Sequence, residues 1–135
     1  MLKIKSLLTL VLSLFSVAVF ASHTPTMSQQ DLLATLDKGG DNIVVLDVRS
    51  EGEYNHGHIA GAINVSHDQV EKNLSQLTQY KESTIVVYCR SGRRAGKAEH
   101  ILSKNGFKNV RHLTGDMNGW LEAKLPVVTS EHSHK

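Results

Sequence analysis

Two short apolar runs, "IVVLDV" at 43–48 and "TIVVY" at 84–88, show no alternation of apolar with polar positions. A strand with one face in water alternates, so continuous runs of strand length predict strands covered on both faces, as in a parallel sheet. Elsewhere the period lengthens. Leu32, Leu33 and Leu36 form a helical stripe behind Ser28, whose spacing to Asp31 suits a capping box, and "KGGDN" at 38–42 stops that helix. Residues 50–61 are polar and glycine-punctuated and carry no predicted element, whereas "AINV" at 62–65 suits a short strand. Val70, Leu74 and Leu77 space a helix within 67–80. Ala95, Ala98 and Leu102 line another over 93–105, stopped by Asn105 and Gly106. "NVRHL" at 109–113 is a last strand, followed by a turn and a short helical stretch through Trp120. Strand and helix alternate, which predicts an α/β layered sheet with right-handed crossovers.

The first residues follow another logic. Lys3 and Lys5 precede an uncharged, mostly apolar run from Ser6 to Phe20, closed by Ala21. This pattern predicts a secretory signal peptide over 1–21, cut after Ala21 or, as second choice, after Ala18, with an exported product. The run falls short of the roughly 20 residues a membrane span needs, so an uncleaved anchor is the lesser reading. What remains suits one compact domain over 28–128, between a flexible start at 22–27 and a flexible tail at 129–135. Charge then reads differently. Lys3 and Lys5 supply the whole formal excess of +2, so the basic pI gives no case for nucleic acid. The charges that stay are segregated: residues 90–111 carry seven basic side chains and only Glu99 against them. A cationic field surrounds whatever sits there.

What sits there is the only cysteine, Cys89. Exported proteins usually carry cysteines in pairs, so a lone one is a buried inert thiol, an intermolecular link or a reactive group. Position favours the last. In open α/β sheets the ligand site lies beyond the carboxyl ends of the strands, and Cys89 follows such an end. The loop after it, Arg90, Ser91, Gly92, Arg93 and Arg94, can turn backbone N–H groups inward at a helix start, with Gly92 permitting the bend. Helix dipole and guanidinium groups both favour thiolate over thiol. The same cradle suits an anionic substrate and negative charge in a transition state.

Three stretches then point to a family. "VVLDVRSEGEYNHGHIAGAINV" (44–65), "VVYCRSGRRA" (86–95) and "LTGDMNGWLEAKLPV" (113–127) resemble, in order and spacing, the signature, active-site loop and closing motif of rhodanese domains. The resemblance implies a central parallel five-stranded sheet with helices on both faces; separately, the domain is expected to act as a monomer. The resemblance also implies sulfur transfer: the Cys89 thiolate takes the outer sulfur of thiosulfate, releases sulfite, and passes the sulfur from a persulfide to cyanide or a thiol. No metal or organic cofactor and no separate base are implied, because the cysteine carries the group. Arg90 directly after the cysteine resembles the thiosulfate-using branch more than the mercaptopyruvate-using one. Cysteine phosphatases of related fold need an arginine six positions after the nucleophile, where this chain has Ala95. A different class of reading is a persulfide carrier or anion-binding module serving a protein partner.

Other residues are expected in supporting roles. Arg49 is expected to pair with Glu51 or Glu53 and fix its loop, and Asp47 to accept nearby backbone N–H groups. His58 suits a structural hydrogen bond, Trp120 and Tyr88 suit packing, and His56 lacks companions at metal-ligand spacing. His132 and His134 could hold a metal ion only weakly. Asp116 stands where the family commonly has a second glycine; facing the site, its carboxylate would oppose anion binding.

Overall fold

A computed structural model of the chain describes residues 23–130. The leader over 1–21 and the tail residues His132 and His134 lie outside the described residues. Five strands form one parallel sheet: β1 (Thr26–Met27), β2 (Ile43–Asp47), β3 (Ile63–Asn64), β4 (Thr84–Tyr88) and β5 (Asn109–Leu113), in the order β1-β5-β4-β2-β3. Helices α1 (Gln29–Asp37), α2 (Glu51–His56), α3 (Leu74–Leu77), α4 (Arg93–Lys104) and α5 (Asp116–Glu122) complete the α/β architecture.

The continuous apolar run of β4 has a direct cause. Ile85, Val87 and Cys89 enter one core with Leu77 of α3 and Ala95, Ala98 and Leu102 of α4. Val86 and Tyr88 enter a second core with Leu32 of α1, Leu113 of β5, and Met117 and Trp120 of α5. Helices therefore cover both faces, and Ile85, Val86, Val87 and Tyr88 of the central strand are buried. Each buried Val, Leu, Ile or Met among them contributes about 1.5–3 kcal/mol. Trp120 is core, as expected, and its indole N–H donates to the Pro126 carbonyl at 2.8 Å.

Several local expectations change. The segment 22–27, expected to be flexible, contributes Thr26 and Met27 to the sheet, paired with His112 and Leu113. The Pro25 carbonyl accepts the His112 N–H at 2.8 Å and the Met27 carbonyl accepts the Thr114 N–H at 3.0 Å. Two residues are too few to show a period, so hydropathy could not reveal this strand. Within 50–61 the chain forms α2, started by a complete capping box in which the Ser50 hydroxyl accepts the Glu53 N–H and Glu53 returns to the Ser50 N–H. That helix fully buries no residue, hence its lack of an apolar stripe. The single helix expected within 67–80 is broken into 3₁₀ turns at His67–Gln69, Glu71–Asn73 and Thr78–Tyr80 around α3. Side chains of Asn73 and Thr78 bond back to the Gln69 and Leu74 carbonyls, contacts that compete with a regular ladder. Of the tail expected at 129–135, Ser130 donates its N–H to the Asn55 carbonyl at 3.2 Å, just beyond the antiparallel bridge between His58 and Val128. No helix among the described residues is long and apolar enough to cross a membrane.

The N-terminal strand makes a measurable contribution. Starting the chain at Ser28 removes the two bonds that Pro25 and Met27 make to β5. At about 0.5–1.5 kcal/mol each, urea unfolding should show a loss of about 1–3 kcal/mol relative to a chain starting at His23. An unchanged unfolding free energy would deny β1 a structural part.

Candidate active site

Cys89 follows the last residue of β4, and α4 begins four residues later at Arg93. The thiol is 1 % exposed. Its Sγ accepts the backbone N–H of Gly92 at 3.0 Å, which seats the sulfur at the start of a 12-residue helix. The helix dipole presents partial positive charge there. Gly92 adopts φ +115°, and a Cβ at this position would lie 3.1 Å from Asp116 Oδ2 and 3.6 Å from the His112 ring. Both conformation and space call for glycine.

The loop arginines are placed differently from one another. Arg90, Ser91 and Arg93 are exposed. Arg94, expected beside them around an anion, instead forms a bidentate pair with Glu53, at 2.7 Å to Oε1 and 3.0 Å to Oε2. Glu53 also accepts from the Ser50 hydroxyl, so one carboxylate joins the starts of α2 and α4. The Arg94 guanidinium, with help from Ser50, holds the Glu53 carboxyl down at about 2. Arg49 pairs not with Glu51 or Glu53 but with Asp47, two residues before it, at 2.7 Å through Nη2. Asp47 is within reach because its Oδ1 also accepts the Arg49 backbone N–H at 2.9 Å, a tight local turn that brings the guanidinium back onto the same carboxylate. The same Nη2 donates to the Gly57 carbonyl. Asn64 clasps this corner by donating to the carbonyls of Asp47 and Arg49.

Tyr88 packs with its ring fully buried and its hydroxyl accepting the Ile59 N–H at 3.2 Å; burial holds the phenol well above its ordinary range. His58 stacks on Tyr54 and its Nδ1 lies 2.8 Å from the Tyr54 carbonyl. His56 Nδ1 lies 2.7 Å from the Gly52 carbonyl. Beside the loop lies an open depression of about 480 Å³, lined among others by Arg49, His56, Arg90, Met117 and Leu121.

The Asp116 carboxylate, which would oppose anion binding if it faced the site, is occupied beneath the loop. The residue adopts φ +53° and is 3 % exposed, turned inward under the loop. Its Oδ1 accepts the Cys89 N–H at 3.0 Å, and its Oδ2 lies 2.9 Å from His112 Nε2. The other ring nitrogen, Nδ1, lies 2.5 Å from Glu99 Oε2. Neither Glu99 nor His112 was singled out by the sequence as part of the site. A signal existed: Glu99 is the lone acid in a basic stretch and stands four residues after Ala95, on the buried face of α4.

Two outcomes follow from this geometry. Gly92→Ala should lower the unfolding free energy by about 1–3 kcal/mol and slow Cys89 alkylation, because the displaced loop no longer seats the sulfur on the residue-92 N–H. An alanine variant with wild-type stability and alkylation rate would contradict the packing described. Because Glu53 has a depressed pKa, the stability it supplies is present above the ordinary glutamate range near about 4.3 and is lost as pH falls through about 2. Glu53→Gln should therefore flatten acid unfolding across that window.

Comparison with known proteins agrees with the fold. Residues 28–123 match the family model described as a rhodanese-like domain. The chain is 31 % identical over 111 residues to thiosulfate:glutathione sulfurtransferase of Saccharomyces cerevisiae, covering 74 % of this chain and 80 % of that protein. It is 36 % identical over 70 residues to thiosulfate sulfurtransferase PspE of Escherichia coli, covering 52 % and 67 %. Its fold superposes on a rhodanese-related protein from Thermoplasma volcanium with TM-score 0.68 and 27 % identity, over 78 % of this chain and 99 % of the other. With the strand order, the cysteine loop and these matches in agreement, the chain belongs to the rhodanese-like domain family.

Proposed function

We propose that this protein is a thiosulfate sulfurtransferase working through a persulfide on Cys89. One observation carries the reading: the chain's only thiol has its sulfur on the Gly92 N–H at the start of α4. A helix N-terminus and a backbone donor favour negative charge on that sulfur. The thiolate attacks the outer sulfur of thiosulfate, a new S–S bond forms, and sulfite leaves with the electron pair of the bond that breaks. The acceptor, cyanide or a thiolate, then attacks the outer sulfur of the persulfide and returns Cys89 as thiolate. Electrons and atoms balance without an outside oxidant, and the cysteine is the only group that changes covalently.

Arg90 and Arg93, both exposed at the mouth of the loop, supply charge for the donor anion. Arg94, committed to Glu53, acts through loop architecture instead. Asp47 and Arg49 likewise brace the neighbouring corner. The depression bordered by Arg49, Arg90 and Leu121 gives donor and acceptor an approach from one side. Relatives named as thiosulfate sulfurtransferases support the choice of donor. The apolar leader supports an exported protein acting in the periplasm.

Incubation with thiosulfate should add the mass of one sulfur atom to Cys89, and Cys89→Ser should abolish both the adduct and thiocyanate formation. Wild-type protein that gains no sulfur would sink the proposal. Neutralising Arg90 or Arg93 should raise the thiosulfate KM several-fold, roughly 1 kcal/mol of lost anion binding, and move Cys89 alkylation to higher pH. If sulfur loads while transfer to cyanide and small thiols does not turn over, the chain is a carrier serving a protein partner.

A further inference from the structure

Behind the Cys89 loop lie three titratable side chains to which the sulfur-transfer steps give no part. Glu99 comes from α4, His112 from β5 and Asp116 from the first turn of α5. The two carboxylate side chains are each 4 % exposed and the imidazole 19 %. Both ring nitrogens of His112 face a carboxylate oxygen, Nδ1 to Glu99 and Nε2 to Asp116. Ionised carboxylates only accept hydrogen bonds, so a ring between two of them must donate from both sides. With both carboxylates ionised the ring is an imidazolium, the form their hydrogen bonds favour, and the second oxygen of Asp116 is left free to hold the Cys89 N–H.

We propose that His112 is a positioning residue for the reaction at Cys89: gripped by Glu99 and Asp116, it aims the Asp116 carboxylate at the Cys89 N–H and offsets that negative charge beneath the sulfur.

The cluster reaches the loop at two points. Asp116 holds its start at Cys89, and Asp116 Oδ2 with the His112 ring forms the floor under Gly92, the residue whose N–H holds the sulfur. The Pro25 carbonyl, just before β1, accepts the His112 N–H, and the ladder neighbours of His112 are the uncharged Thr26 of β1 and the apolar Val87 of β4. Glu99 and Asp116 are thus the charged groups that set its state. Their hydrogen bonds, that of Asp116 first, hold His112 protonated up to about 10. Without the imidazolium, two buried carboxylates would face each other unpaired, an arrangement that drives one of them to take a proton or to move. Either change loosens the grip on Cys89 or adds negative charge under the thiolate.

This inference rests on the sulfur-transfer reading only for its kinetic readout, so its main test does not need sulfur. The pH dependence of Cys89 alkylation by iodoacetamide is measured in the full chain, in His112→Gln and in Glu99→Gln, alongside the imidazole NMR signals of wild-type His112. The ring should stay doubly protonated through neutral pH. His112→Gln removes a positive charge and should move the alkylation midpoint up by about half a pH unit or more, about a threefold loss of reactive thiolate. Glu99→Gln leaves Asp116 to keep the ring charged and removes a negative charge, so its midpoint should move down. A merely structural cluster would lower Tm in both variants without opposite shifts. A singly protonated ring at neutral pH, or both midpoints moving together or not at all, overturns the proposal. Should His112→Gln fail to fold, the wild-type imidazole titration and the direction of the Glu99→Gln shift decide it. Failure of wild-type Cys89 to take sulfur from thiosulfate would instead overturn the sulfurtransferase reading and leave these measurements intact.

Discussion

The peptide at Cys89 is held from both sides by the start of α5, and the site depends on that grip. Its N–H enters the Asp116 carboxylate, while its carbonyl accepts the Met117 N–H at 2.9 Å and the Arg90 carbonyl accepts the Asn118 N–H at 3.1 Å. A parallel strand normally releases its chain into solvent at the carboxyl end. Here the next turn is secured to a helix that arrives 27 residues later, so the loop has few conformations left in which to hold the sulfur. The α5 turn accommodates this with a left-handed Gly115 and the strained φ of Asp116, a conformation that costs of order 1–3 kcal/mol in a residue with a side chain. Bonds to Cys89 and His112 offset that cost.

Most of the fold was legible because the sheet is buried on both faces. Continuous apolar runs located β2 and β4, and the stripe of Ala95, Ala98 and Leu102 located α4. Elements that bury little left no such mark: β1 is held mainly by backbone bonds to β5, and α2 by its capping box. Ser50 and Glu53 spell that box, so α2 was readable from its cap where its hydropathy was silent. The single helix expected within 67–80 failed for the opposite reason. Val70 and Leu77 are buried as a helical stripe would have them, yet side chains bonding back to the main chain break the regular path between.

At the site, the sequence located Cys89 and its loop but not the charges beneath. Local order in the chain shows which residues neighbour a cysteine; it does not show which ones a sheet brings from 10 and 23 residues away, as with Glu99 and His112. Pairing by proximity in sequence also misled. Arg49 lies near Glu51 and Glu53, yet its own backbone turns back on Asp47, and Glu53 reaches across to Arg94. The two exchanges are linked, since each arginine that takes a carboxylate leaves one fewer for the other. Arg90 and Arg93 stay exposed, and neither pairs with a carboxylate among the described residues.

The strand order places the two shortest strands, β1 and β3, at the rims of the sheet. Three strands of five residues fill the interior, and each rim offers a second chain only two residues of ladder. Unpaired strand edges are templates for pairing between molecules, and very short ones are poor templates. The apolar centre that delivers the thiol is thus bordered by edges of the short kind that blunt edge-to-edge pairing.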